Sequence, residues 1–169
     1  MQAATLIARY CPEPHPEGGY CRETRRSDTV IAHEALSERF SGQRHCLSAI
    51  LLQPGNRDVS RLHRIRSDEI GYLIGHFYDG GSLRPAMVFP DGTASEVVPG
   101  QDIEAGQYVQ HVVPAGVRFG AKPCAGTGFS FVGCTVSPGI DFADFGPSEK
   151  PRLLQTFPQA HATIREFCP

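Results

Sequence analysis

From Leu47 onward the chain alternates short apolar runs with turn residues. LSAILLQP (47–54), SRLHRIRSDEIGYLI (60–74), SLRPAMVFP (82–90), SEVVP (95–99), YVQHVVPAG (108–116), VRFGA (117–121) and FSFVGCTV (129–136) each read as β-structure, cut by turn signals such as PDG at 90–92. Strand candidates at spacings of roughly 8–15 residues are the cadence of an all-β sandwich or barrel. Elsewhere the pattern changes. AATLIARY (3–10) suits a short helix stopped by Pro12 and Pro14, and HEALSERF (33–40) holds a helical turn. FGPSEKPRLLQTFPQAHATIREF (145–167) offers one or two short helices. No repeat or linker divides the sequence, so a single domain over 1–169 is expected, with its core at about 15–145 and a helical tail at 148–169.

The period of two gives each strand its faces. Arg61, His63, Ile65, Ser67 and Glu69 share parity, so His63 and Glu69 point to one interior if the strand runs straight past Ser67–Asp68. In YVQHVVP, Tyr108, Gln110 and Val112 share one face, and Val109, His111 and Val113 share the other. Tyr20 and Arg22 alternate with Cys21 in an edge strand that follows the two glycines of HPEGGY.

Composition narrows the class. With 40% hydrophobic residues the chain can bury a core, while 18 glycines and 14 prolines argue against a helical bundle. Sixteen basic residues against eighteen acidic ones give no electrostatic grip on nucleic acid or anionic lipid. No apolar run approaches the roughly 18 residues of a membrane span, and the N-terminus lacks the pattern of a signal peptide. A cytoplasmic location is expected. The cysteines at 11, 21, 46, 124, 134 and 168 form no C-x-x-C pair and read as thiols. No phosphate loop, dinucleotide fingerprint or G-x-S-x-G elbow occurs. Ser130 has no triad spacing around it, and Cys134 reads as core.

Three blocks carry a resemblance: HPEGGYCRET (15–24), LHRIRSDEI (62–70) and VGCTVSPGIDFADF (132–145). With Gln110 and the VPAG of 113–116, they resemble the signature blocks of a family of small RmlC-like cupins, over about residues 5–158. The resemblance implies an all-β, single-domain cupin, a double-stranded β-helix or jelly-roll barrel with short flanking helices. The sequence departs from the family pattern at Gly75, where a tryptophan is usual, and EIGYLIGHFYDGG is longer than its counterpart. Either GYLI is an insertion and His76 keeps a site position, or the strand runs through Tyr72–Ile74 and HFYDGG forms an enlarged hairpin loop.

The chemistry implied by the resemblance centres on His63. In dTDP-sugar epimerase cupins a strand histidine partnered by an acid removes a proton α to a carbonyl, and RLHRI looks like that strand. His63 and Glu69 are therefore the candidate catalytic pair, the alternative being a hydrogen-bonded structural histidine. Tyr20, Arg22, Gln110 and His76 are candidate substrate-binding residues. Arg22 can fork onto an anionic group or pair with Glu23 or Asp68, and Gln110 can orient a polar ligand or serve as a core amide. DFADF (141–145) is expected to hold the tail on the barrel.

The usual cupin metal site maps onto His63, Ile65 and Glu69 in the first motif and Phe119 in the second, so two of four ligands are missing. No metal or other cofactor is expected; a divalent ion would have to be held by His63, Glu69 and His76. The favoured reading is a metal-independent epimerase, isomerase or dehydratase acting on a sugar- or nucleoside-like molecule. A non-catalytic ligand-binding cupin and a metal-dependent dioxygenase or isomerase are the alternatives. A homodimer is expected, paired through the N-terminal edge strand.

Overall fold

A computed structural model describes residues 2–10, 13–15, 19–38, 40–55, 58–65, 72–114, 116–126 and 128–169, and the side chains of all these except 72, 73, 142 and 147. Helix α1 (Ala3–Tyr10) leads into thirteen described strands, many as short as the glycine and proline spacing requires. They are β1 (Glu13–Pro14), β2 (Tyr20–Arg26), β3 (Val30–Ile31), β4 (Arg44–His45), β5 (Ser48–Gln53), β6 (Ser60–Ile65), β7 (Tyr72–Gly80), β8 (Leu83–Val88), β9 (Ala94–Glu96), β10 (Gln110–Val113), β11 (Arg118–Pro123), β12 (Ser130–Ser137) and β13 (Phe145–Pro147). Helices α2 (Lys150–Thr156) and α3 (His161–Phe167) close the chain.

Two antiparallel sheets form the body, one in the order β1-β2-β5-β12-β7-β10 and the other β13-β6-β11-β8-β9. Residues from both meet in a lumen between them. Phe77 and Val132 of the larger sheet cluster with Leu83 of the smaller, and Val113 and Val136 cluster with Ile65, Met87 and Val117. These contacts fix the inner faces of β5, β6, β7, β8, β10, β11 and β12, because side chains alternate.

The outer face of the smaller sheet is covered by the tail. Leu62, Ala86 and Val88 pack against Leu153, Phe157, Ala160, Ile164 and Phe167. The outer face of the larger sheet is covered in part by α1, whose Leu6 is buried and whose Tyr10 stacks on Phe131 with ring centroids 5.7 Å apart. No described helix is long and apolar enough to cross a membrane.

The enlarged HFYDGG hairpin loop does not form. β7 runs from Tyr72 through His76 to Gly80, so HFY and the following Asp79 belong to the strand, and only Gly81–Ser82 turn the chain into β8. DFADF forms a 3-10 turn (Phe142–Asp144) and then β13, which pairs with β6. A buried ion pair pins this turn. Arg44 donates to both carboxylate oxygens of Asp144, at 2.7 and 2.6 Å, and also to the carbonyls of Gly42 and Gln43.

Candidate functional site

β6 carries its side chains as its alternation requires. Leu62 faces the helices, while His63 and Ile65 face the lumen. His63 is only 8% exposed. Its cross-strand partner on β11 is Phe119, whose ring centroid lies 4.3 Å away, and Phe145 of β13 approaches to 5.4 Å on the other side. Its Nδ1 lies 2.8 Å from the carbonyl oxygen of Arg61. A carbonyl can only accept, so Nδ1 is the protonated nitrogen and Nε2 is the basic one. The ring's orientation and tautomer are thus set by its own strand and two aromatic walls. Glu69 lies outside the described residues.

The other expected contacts are placed elsewhere. Cys21 pairs with Leu52, which packs on the lumen cluster, so Tyr20 and Arg22 project from the outer face of the larger sheet. Both are exposed, and Arg22 donates to the carbonyl of Tyr10 at 2.5 Å. Gln110 and His76 are cross-strand partners on that same outer face. Gln110 Nε2 lies 3.3 Å from His76 Nδ1, and His76 Nε2 lies 3.2 Å from Thr135 Oγ1. His76 also stacks near Tyr78, with centroids 6.3 Å apart. The expectation that these four residues join His63 around one ligand is corrected by strand parity. A one-residue offset sends a side chain through the sheet.

The same parity separates His63 from His76, so the two cannot share a metal ion. Ile65, at the position of a motif ligand, and Phe119, at another, face the lumen and offer no lone pair to a metal. Among the described residues, no group of three or more His, Cys, Asp or Glu is disposed to hold a metal ion. The described lumen therefore does not fit the usual cupin metal.

His111 was visible in the sequence as the face-mate of Val113, yet the family block drew attention to its neighbour Gln110. Val113 lies in the lumen cluster, so His111 points inward too. Its partner across the ladder is Gly75, and a Cβ at that position would stand 2.2 Å from His111 Cε1. The missing side chain at 75, where the resembled pattern carries a tryptophan, is the space the imidazole fills. Cys134 is the next residue in this row. Burial pushes its thiol up to about 12, so it stays protonated and unreactive. Burial also lowers the pKa of His111, and the imidazole of His76 through the sheet adds to the shift.

A groove of about 380 Å³ opens away from the lumen, lined by Asp58, Val59, Arg84 and 122–125. Its cations are already paired: Arg84 and Lys122 both hold Glu166 of α3, and Arg84 also meets Glu96 at 3.4 Å.

Comparisons with known proteins agree with this architecture. Residues 4–147 match the family described as Cupin superfamily (DUF985). A hypothetical protein from Leishmania major is 27% identical, with a TM-score of 0.87 over 99% of this chain and 98% of that one. A protein from Shewanella oneidensis is 33% identical, with a TM-score of 0.83 over the same shares. An oxalate decarboxylase from Bacillus subtilis, at 12% identity and a TM-score of 0.54, covers 91% of this chain with 36% of its own, a likeness of fold alone. No functionally curated protein matches the sequence. The chain belongs to the cupin superfamily, in the DUF985 family.

Proposed function

We propose that this cupin binds a small sugar- or nucleoside-like molecule in its lumen and acts on it by proton transfer, without a metal, as an epimerase, isomerase or dehydratase. The observation that carries the reading is His63. It is a buried imidazole on the inner face whose Nδ1 donates to the Arg61 carbonyl. Fixing one nitrogen in this way gives an oriented general base, and a C–H next to a carbonyl is the proton such a base removes. Glu69 is proposed as a second contact of the ring. Tyr20, Arg22, Gln110 and His76 lie on the outer face of the larger sheet and take no part in this reading. The protein is further proposed to work as a homodimer. β1 already covers the Tyr20–Cys21 end of β2, so pairing through that edge is limited to the rest of the strand.

The test is His63→Asn, which keeps a hydrogen-bonding group of similar size but cannot take a proton near neutral pH. It should leave the fold and ligand affinity in place and cut turnover by about 10²–10⁴. Equal affinity with no turnover by the wild-type protein would instead support a non-catalytic binding cupin. Unchanged turnover in the variant would remove His63 from the mechanism.

A further inference from the structure

His111 occupies an unusual position among the described histidines. His33, His45, His63 and His76 each have a ring nitrogen within hydrogen-bond distance of an identified partner. His111 Nδ1 is buried and has no partner among the described residues. Only two other described side-chain atoms share that condition, the hydroxyls of Ser37 and Ser148, and neither lies on a barrel strand. A buried polar atom without a partner is costly, and when a protein keeps one it asks for an explanation.

The surroundings of the ring limit that explanation. Glu23, Ile50, Cys134, Gly75 and His111 form one row across five strands of the larger sheet, and His111 ends the row on β10. The ring lies over Gly75, a pose that no residue with a side chain at 75 would permit. Next to it, Cys134 is an uncharged thiol, so this end of the row suits a neutral polar group.

We infer that His111 is a ligand-contacting residue of the barrel, whose Nδ1 accepts a hydrogen bond from a hydroxyl of a neutral, polyhydroxylated molecule. The inference rests on the proposed binding of a small molecule in the lumen and adds a residue and a ligand class to it. Gly75 is the positioning residue that makes the pose possible.

The experiment titrates 15N-histidine-labelled protein with D-ribose and follows His63, His111 and the outer-face His76 by long-range 1H–15N NMR. The inference expects His63 and His111 to shift with one shared Kd while His76 stays still. His111→Phe keeps the ring and removes its nitrogens, so it should raise that Kd about three- to tenfold, the worth of one net hydrogen bond, with an unchanged or higher Tm. Should that variant fail to fold, Gly75→Ala makes the same test by displacing the ring. A shift of His63 alone, or an unchanged Kd in the variant that folds, would overturn the role of His111 and leave the barrel reading standing. No shift of either inner histidine would overturn lumen binding of this ligand class, and the inference with it.

Discussion

His63 and His111 both point into the lumen and differ in what holds them. A backbone carbonyl fixes the ring of His63, so its substitution is expected to affect proton transfer more than folding. His111 is held by shape, over Gly75, and its buried imidazole resists protonation. Its folded pKa therefore lies below the unfolded value of about 6.5. The unfolded chain binds the proton more readily, so the stability from a neutral His111 is complete above about pH 6.5 and falls as the pH drops through the folded value. Thermal unfolding followed from pH 7 to pH 5 should show a declining Tm that is shallower in His111→Phe; parallel curves would contradict this. Period-two reading placed His63 and Ile65 on one face and separated His111 from Gln110. Which of those two faces is inner was not legible, because Val112 and Val113 are equally apolar and only their partners on other strands distinguish them.

Among the elements, the short β13 matters most to the site, since Phe145 forms one wall of the His63 ring. The Arg44–Asp144 pair, with each side chain 4% exposed, anchors the turn that leads into it. Removing one partner leaves an unpaired buried charge, so Asp144→Ala should cost about 3–5 kcal/mol, measured by urea unfolding. A loss under about 1 kcal/mol would show the pair to be dispensable. The docked tail gives a contrasting case. Phe167 is fully buried behind the smaller sheet, and Phe167→Ala should cost about 3–5 kcal/mol while leaving ligand affinity of the folded protein unchanged. The alternation from Leu47 onward revealed most strands, and the segment 145–167 its short helices, because both signals are local. The ion pair joins residues 100 positions apart and left no local trace.

For the whole molecule, the cadence of strand and turn was enough to read an all-β barrel, and the family blocks narrowed it to a cupin. Function is less legible, because a shared barrel hosts many chemistries and the deciding contacts come from several strands. Light scattering at micromolar concentration should give about twice the 18.4 kDa chain mass, and a monomer would contradict the homodimer. Treatment with a chelator should leave ligand binding and turnover intact, since Ile65 and Phe119 stand where metal ligands would be; recovery of activity on adding zinc, iron or manganese would revive a metal-dependent mechanism.

The proposed function stands on one step, removal by His63 of a proton from a carbon next to a carbonyl. Its most direct measurement is deuterium wash-in from D2O into sugar- and nucleoside-derived aldehydes and ketones, followed by mass spectrometry with chelated protein. The wild type should exchange one C–H of a bound member of this class, and His63→Asn should slow the exchange by about 10²–10⁴. Exchange by His63→Asn at the wild-type rate would contradict it.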